Sequence, residues 1–297
     1  MQAQTLIAIR RRIRSVRSTQ QITKAMEMIS GVRLRRVERR TMSLRPYARE
    51  LDRVILSVLS AVEGEEHPLT TPRAEVKHTC YVVIGGDRGL CGAFNSNIIK
   101  YAENLMRNTD GTFSVLPVGR KMINHFSKSG VEIVATAEEL YRNLTITLCT
   151  SLAERLKSLY LSGKVDRVCV VYVRFVSVAR HTIDHRVLIP VLVDAVKQEI
   201  REEIGEEVEV GRVEAYPTAR EVAEYALGRY LSLLLYRMIL ETLTSEMAAR
   251  MSAMRQATEN AQEMIEHLTL VYNQARQHSI TRELLDIVGT AEALKTA

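Results

Sequence analysis

Apolar residues in the last third of the chain recur at the seven-residue interval of a coiled coil. The first series comprises Met247, Met254, Ala261, Leu268 and Ala275. The second series starts three residues later and comprises Ala257, Met264, Val271 and Leu285, with Arg250 and His278 as polar exceptions. No proline occurs from Thr218 to Ala297. The pattern predicts one long helix over residues 213–297, which needs a partner helix to cover its apolar side.

The first sixty residues carry a matching pattern. Apolar positions follow a 3-4-3 spacing at Leu6, Ile9, Ile13 and Val16, and Gln20 and Thr23 continue that spacing in polar form. Farther along, residues seven apart are Val37, Leu44, Leu51 and Val58. We predict a helix from about residue 3 to about residue 60, within a coiled-coil segment 1–62, with a kink or a new segment at Pro46. The two terminal helices most simply pair antiparallel.

Residues 76–195, between these helices, alternate β-type and helix-like stretches. The β-type stretches are Thr79–Ile84, Thr112–Val118, Arg167–Val178 and His185–Val193. The helix-like stretches are Ala93–Arg107, Lys121–Ser129 and Thr145–Ser162. This alternation predicts a Rossmann-like domain with a largely parallel sheet, whose last two strands should be antiparallel because only a short polar turn separates them. The expected fold class is mixed α+β and α/β, with a long antiparallel coiled coil and a central Rossmann-like α/β domain.

Charge is distributed unevenly along the chain. Residues 10–53 contain 13 arginines and one lysine against four acidic residues, a net charge of +10, whereas the whole chain carries +6 and the remainder therefore −4. Such a one-sided excess on a single helix favours an acidic partner surface. Nucleic acid or an anionic membrane surface is an alternative partner, although the helix has no aromatic residue before Tyr47 on which a base could stack.

Motifs with catalytic or ligand-binding chemistry are weak. The turn Gly85–Gly92 follows a predicted strand and opens a helix, as phosphate loops do, but it matches neither nucleotide-binding consensus and a tight turn explains it equally. His181 and His185 suggest a metal, yet in a strand–turn–strand they need not converge and further ligands are not apparent. The four cysteines do not have the spacing of a disulfide framework or of a zinc site; they are Cys80, Cys91, Cys149 and Cys169. An enzyme is therefore the least favoured class, and no cofactor or metal is expected.

The two ends of the chain raise separate questions. No run of about 18 apolar residues is present, so no membrane-spanning segment is expected. The amino terminus is Arg-rich, as a transit peptide is, but it lacks the apolar core of a secretion signal, and its helical spacing continues into the following residues. The carboxyl end carries Leu284, Leu285, Ile287, Val288 and Leu294, where a projecting helix end should be polar. Either this end folds back onto its own chain or another protein encloses it.

Three ordered regions of the sequence resemble the gamma subunits of F-type ATP synthases. The matching stretches are Ile22–Met28 with Arg33–Arg36, then Asp87–Gly92, and finally Ala248–Met254, Ala257–Ala261, Leu268–Gln277, Ile280–Thr281 and Glu283. Departures from the family pattern occur at Gly86, where Ser or Thr is usual, at Ala93-Phe94, at Ser30-Gly31-Val32, and at Glu214-Ala215-Tyr216 before Pro217.

The resemblance implies a non-catalytic central stalk, the rotor shaft that couples proton-driven ring rotation to ATP synthesis or hydrolysis. The two helices would form an antiparallel coiled coil inside a ring of three alpha and three beta subunits, which hold the ATP, the magnesium and the catalytic residues. The α/β domain, with the epsilon subunit, would form a foot on the membrane c-ring. The expected location is peripheral, on the cytoplasmic side of the bacterial inner membrane, with membrane contact only through the complex.

The resemblance also implies roles for individual residues. Contacts with alpha and beta are expected from Lys24, Met26, Arg33, Arg36, Asp87, Arg88, Cys91, Arg276, Gln277, Thr281 and Glu283. Lys24 and Met26 would lie near acidic levers of beta, with the turn Asp87–Gly92 beside that region. An apolar bearing at the top of the ring would enclose Leu284, Leu285, Ile287, Val288 and Leu294. The basic helix would then have acidic partners, and the apolar end would have a sleeve.

Overall fold

The computed structural model describes residues 2–61, 67–138, 144–204 and 219–296, with side chains described except at residues 2–5, 45, 61, 199–200, 202–204, 219 and 292–296. In chain order the elements are α1 (Gln2–Ala61), β1 (His78–Ile84), α2 (Phe94–Arg107), β2 (Thr112–Val118), α3 (Arg120–Phe126), α4 (Ile146–Leu161), β3 (Arg167–Ser177), β4 (Arg180–Ile189), α5 (Val193–Ile204) and α6 (Ala219–Thr296). None of these helices is long and apolar enough to cross a membrane.

The chain groups into two compact units. The terminal unit consists of Met1–Gly31 and Arg250–Ala297, and the central unit consists of Val32–Ala249. The long helices α1 and α6 each contribute to both units. The division into residues 1–62, 76–195 and 213–297 stays a prediction, and the part of its last segment before Ala219 lies outside the described residues.

The central unit is built on a four-stranded sheet in the order β2-β1-β3-β4. Strand β1 pairs parallel with β2 and with β3, and β3 pairs antiparallel with β4. The expected largely parallel sheet with an antiparallel last pair is confirmed. The start of the fourth strand was predicted wrongly, because β4 begins at Arg180 and its first, polar half pairs with the exposed end of β3. Helix α5, which follows this strand, was not predicted.

Both faces of the sheet are covered. One face, which includes Val82 and Val170, packs against α4 and against parts of α1 and α6, for example Ile55 and Leu235. The opposite face, which includes Val83 and Val171, packs against α2 and α3. Since alternate residues of a strand point to opposite faces, the unbroken apolar runs of β1 and β3 follow from burial on both sides.

Helix α6 is a core element of the central unit. From residue 230 to residue 249, none of its residues is exposed. Most of this stretch is therefore apolar or small, and the charged residues Arg237 and Glu241 within it pair with each other at 3.1 Å. The Thr242 hydroxyl accepts a hydrogen bond from the Val173 N–H of β3 at 3.0 Å, and the hydroxyls of Thr244 and Thr41 lie 3.1 Å apart. Buried polar groups therefore tie α6 to the sheet and to α1 within this unit.

Helix α1 continues through Pro46 without a break, so the new segment considered at this proline does not occur. Proline removes one backbone donor and leaves the carbonyl four residues earlier without its helical partner. Here that earlier residue is Met42, and both Met42 and Pro46 are exposed. Water can therefore donate a hydrogen bond to the Met42 carbonyl in place of the missing N–H, and the helix tolerates the proline.

In the terminal unit, α1 and α6 pair antiparallel along a seam, the line of side chains that each helix buries against the other. Gln20 bonds Gln262, Thr23 bonds Thr258, and Glu27 bonds Arg255, so partner numbers fall along α6 as they rise along α1. The antiparallel coiled coil is confirmed in this unit. On α1, the predicted positions from Leu6 to Thr23 all lie on the seam, and they are half-buried or buried.

The second heptad series on α6 was assigned one residue too early. Ile265 is 7% exposed, whereas Met264 is 46% exposed. The residues on the seam are Met251, Thr258, Ile265, Tyr272 and Ser279, between the correctly predicted positions Met254, Ala261, Leu268 and Ala275. Apolarity was misleading here, because the true series contains Thr258 and Ser279 while the false one contains Met264 and Val271.

Candidate functional site

The seam of the terminal unit is unusually polar in the region of Lys24 and Met26. Thr23, Glu27 and Ser30 are buried at positions where a coiled coil ordinarily places apolar side chains. The Thr23 hydroxyl lies 2.8 Å from that of Thr258, and the amides of Gln20 and Gln262 lie 2.8 Å apart. Polar pairs at core positions fix the register of two helices at a cost in stability. This stretch is therefore built for a defined pairing of α1 with α6.

Glu27 joins two cations that come from different helices. Its Oε2 lies 3.1 Å from Nζ of Lys24 on α1, and its Oε1 lies 3.2 Å from Nε of Arg255 on α6. The hydrogen bond from Lys24 is the largest cause that lowers the pKa of Glu27; burial opposes it, and Arg255 adds to it. The carboxylate is therefore ionised throughout the neutral range.

An open groove of about 500 Å³ lies beside this ion-pair cluster. Its lining residues are Gln20, Gln21, Lys24, Ala25, Met28 and Thr258. The neighbouring outer surface of α1 carries the exposed apolar residues Ile22, Met28 and Ile29. Met26, in contrast, is half-buried. The surface thus combines a cation with apolar contact area, as protein-binding surfaces do.

The predicted contact residues near the end of α6 are exposed. Arg276, Gln277, Thr281 and Glu283 all face solvent, and every described side chain from residue 280 to residue 291 is exposed. By helical spacing, Ile280, Leu284, Ile287 and Val288 share one face, with Leu285 at its border. The predicted bearing residue Leu294 lies outside the residues with described side chains. Within the described residues, this apolar face is not covered by the chain itself, so it does not fold back.

The glycine-rich turn of the central unit is held by internal hydrogen bonds. Asn95 accepts from the Gly86 N–H at 2.8 Å and donates to the Arg88 carbonyl and to Sγ of Cys91, each at 3.3 Å. Asp87 accepts from the backbone N–H of Arg120 at 3.0 Å. Cys91 is buried, so its thiol supports the turn from inside, whereas the side chain of Arg88 is exposed. Sequence reasoning missed Asn95, whose only signal was its place at the start of α2.

Two features of this turn restrict substitution. A Cβ at Gly86 would meet Oε1 of Glu246 at 2.8 Å and Oδ1 of Asn95 at 2.9 Å, both too close for an unmoved neighbour. Leu90 has a φ of 63°, in the left-handed region that a leucine rarely adopts, and its side chain is exposed. The turn therefore presents an apolar side chain from a constrained backbone. Arg33 and Arg36, the other predicted contacts in this unit, are exposed on α1.

The residues considered for metal or phosphate binding do not form a binding site in the described part of the chain. His185 lies 2.8 Å from the Tyr101 hydroxyl, and the His181 ring is tilted against Phe94, so each histidine is engaged with α2. Groups of three or more His, Cys, Asp or Glu side chains that could hold a metal are absent from the part of the chain that the structure describes. The backbone donors at Gly86 and Arg120 beside the glycine-rich turn are already used by side chains.

The hydroxyl and the thiols considered as nucleophiles in the central unit, those of Ser114, Cys80, Cys149 and Cys169, are buried. Nε2 of His78 lies 2.9 Å from the Ser114 hydroxyl, but Ser114 is fully buried, and the other ring nitrogen contacts the Thr112 hydroxyl instead of a carboxylate. Burial raises the pKa of the thiols of Cys80, Cys149 and Cys169 to about 12 in each case. These groups stay protonated and enclosed, which suits packing better than nucleophilic attack.

Comparison with known proteins identifies the family. A family model described as ATP synthase matches residues 5–294. The ATP synthase gamma chain of Chloroherpeton thalassium is 36% identical, with 98% of each chain covered, and that of Chlorobium phaeobacteroides strain BS1 is 40% identical, with 98% of this chain and 99% of the other covered. This chain belongs to the ATP synthase gamma family. The resemblance carried by the three ordered motifs is thereby confirmed.

Solved structures support the same family. The central stalk of the Tetrahymena thermophila mitochondrial ATP synthase aligns with a TM-score of 0.63 at 25% identity, covering 80% of this chain and 99% of that one. A chain of the Euglena gracilis mitochondrial ATP synthase aligns with a TM-score of 0.69 at 19% identity, covering 98% and 95%. The gamma-family fold is therefore present, whereas the roles of individual contact residues stay predictions.

Proposed function

We propose that this chain is the central rotor shaft of an F1Fo ATP synthase, which couples proton-driven rotation of the c-ring to ATP synthesis or hydrolysis in the alpha/beta hexamer. The observation that carries the proposal is the match to gamma chains at 36–40% identity over nearly the whole chain. A structural relative is itself a central stalk with its c-ring. Physical features of the described residues support the same role.

The chain is a non-catalytic subunit of the complex in this proposal. Ser114 of its serine–histidine pair and its four cysteines are buried, and the backbone donors of Gly86 and Arg120 at its glycine-rich turn are occupied. Catalysis by acid, base or nucleophile requires groups that reach a substrate. ATP and magnesium are therefore assigned to the surrounding alpha and beta subunits, and this chain transmits motion.

The surfaces of the terminal unit fit a surrounding protein ring. Lys24 on α1 and Arg255 on α6 are exposed cations. The arginines from Arg10 to Arg17, also on α1, are exposed as well. Such a surface attracts acidic partner segments. The exposed apolar face at residues 280–288 is what a bearing requires, because a partner sleeve would remove that surface from water. Contacts from Arg276, Gln277, Thr281 and Glu283 would then lie just before the bearing.

The remaining partners belong to the foot of the complex. We assign the epsilon subunit and the c-ring to the side of the α/β domain, and the approach of residues 214–217 to the ring lies outside the described residues. The chain is peripheral, on the cytoplasmic side of a bacterial inner membrane in this proposal. It reaches the membrane through the c-ring.

Reconstitution tests the proposal. Alpha and beta subunits are mixed with and without this chain, and Mg-ATPase activity and ATP-driven proton pumping by the complete complex are measured. The account predicts that pumping requires this chain and that hydrolysis rises when the chain is added. Failure to assemble with alpha and beta, together with tight DNA binding that weakens steeply with salt, would instead support a nucleic-acid adaptor.

A further inference from the structure

Glu27 occupies a seam position that an apolar side chain would fill at lower cost. Its side chain is only 11% exposed, and removing a carboxylate from water is unfavourable unless its partners compensate. Both partners, Lys24 and Arg255, keep most of their own side chains in solvent, at 58% and 60% exposed. Ion pairs that are exposed to this extent contribute little to stability. Stability alone therefore gives a weak reason for this arrangement.

The arrangement has a definite geometric effect. Lys24 and Arg255 come from different helices, yet each contacts a different oxygen of the same carboxylate, at 3.1 and 3.2 Å. Their charged groups are consequently held close together on one side of the seam, although like charges would otherwise separate. The three groups together carry a net charge of +1, and the two cations extend from the covered carboxylate into solvent.

We infer that Glu27 is a positioning residue, which fixes Lys24 and Arg255 as a paired cation site for an acidic segment of the surrounding alpha/beta ring. This inference rests on the proposed function. It adds Arg255 to the contact surface and Glu27 as the residue that supports it, and neither carries such a role by resemblance.

The groove beside the cluster defines the chemistry of the segment that would bind. Lys24 is shared by the groove and the ion-pair cluster, and Met28 and Ala25 add apolar lining. A partner segment that places one carboxylate on the cations and one apolar side chain in the groove satisfies both features. Two cations would face that carboxylate, and Glu27 already holds both in place. Binding would therefore not have to order two long side chains, which lowers its entropic cost.

The test is a mutant cycle in the reconstituted complex. Glu27→Gln keeps the shape and removes the charge, and its effect on the ratio of protons pumped to ATP hydrolysed is measured in two backgrounds, the natural chain and the Lys24→Ala, Arg255→Ala double variant. In the natural chain we expect the ratio to fall about two- to fivefold, in keeping with the strength of partly exposed ion pairs. In the double variant we expect no further fall, because the groups on which Glu27 acts are gone. An equal fall in both backgrounds would overturn the inference.

A charge exchange separates positioning from simple helix tethering. The double variant Glu27→Arg, Arg255→Glu restores the bond between the helices but leaves Lys24 beside a like charge three residues away. We expect it not to recover coupling, and full recovery would contradict the inference. If Glu27→Gln does not fold, as judged by circular dichroism, Glu27→Asp serves in the same cycle with the charge drawn back by one methylene.

A second measurement distinguishes a role in partner contact from a merely structural role of Glu27. The affinity of the chain for the alpha/beta hexamer is measured at low ionic strength. Glu27→Gln raises the net charge of the cluster from +1 to +2, so charge alone would tighten binding to an acidic segment, whereas loss of the fixed cation pair should weaken it. Binding that is unchanged or tighter would argue against the site. If the natural chain itself fails to assemble or couple, the proposed function fails; if it couples normally and only the cycle shows no dependence, the inference alone fails.

Discussion

Thr242→Val removes one buried hydrogen bond with almost no change in shape, and it tests how α6 is fixed to the sheet. The pairing of β1 with β3 ends at Val83 and Val171, so the Val173 N–H lies just beyond that ladder. The Thr242 hydroxyl takes the place of the missing strand, accepting from this N–H at 3.0 Å. Both residues are fully buried, so water does not replace the lost acceptor.

The magnitude follows from the unsatisfied donor. Leaving a buried N–H without a partner costs about 1–3 kcal/mol. The hydroxyl's own bond to the Met238 carbonyl adds little, because a helix carbonyl already accepts from the backbone. The new methyl group offsets less than about 1 kcal/mol. We therefore expect the variant to lose about 1–2 kcal/mol in free energy of unfolding.

Two measurements on the full chain check this expectation. Urea unfolding should show a lower midpoint with an unchanged slope, and hydrogen exchange should show the Val173 amide losing protection. Thr269→Val is the matched control, because Thr269 is exposed and bonds only the carbonyl one turn earlier, of Ile265. A loss of stability no larger than the control's, with Val173 still protected, would refute the reasoning.

Three further predictions concern other parts of the chain. Gly86→Ala should weaken assembly with alpha and beta and lower stability by about 1–3 kcal/mol, because its Cβ would press on Glu246; unchanged assembly and unfolding curves would contradict this. Burial acts to raise the pKa of Asp166, but bonds from two backbone N–H groups and from Arg73 outweigh it and lower the pKa. Asp166 therefore stabilises the fold above its unfolded pKa of about 3.9, and this contribution is lost as pH falls through the lower folded pKa. Asp166→Asn should consequently make the free energy of unfolding less dependent on pH below about pH 4. Equal pH dependence in the two proteins would show that the bonds to Asp166 do not contribute to stability. Replacing Arg276 and Gln277 with Ala should lower coupled ATPase without changing the circular dichroism spectrum, and unchanged turnover would exclude them as contacts.

Local periodicity was sufficient where one face of an element is buried. The positions from Leu6 to Thr23 were predictable even though Gln20 and Thr23 are polar, because the 3-4 spacing continued through them. The same approach failed at Ile265, where Met264 made the neighbouring register look better. Periodicity reports which residues are apolar, whereas the seam also accepts polar residues that find partners across it.

Pairings between residues that are distant in the chain could not be predicted from the sequence. Nothing local to Glu27 indicates that its second cation would be Arg255, since that pairing depends on the register of two helices that are distant in the chain. In the same way, the departure at Gly86 has a physical meaning only once Glu246 is seen next to it. The polar first half of β4 was missed because hydrogen bonding to β3, and not burial, makes it a strand.

The most direct test of the central claim is single-molecule rotation. Alpha and beta subunits are assembled with this chain and fixed to a surface, and a bead is attached to the chain at an exposed position of the central unit. With Mg-ATP, the account predicts unidirectional rotation of the bead in three steps per turn, one for each beta subunit. ATP hydrolysis by the assembled complex with the bead fixed or moving only at random would contradict the claim that this chain is the rotor shaft.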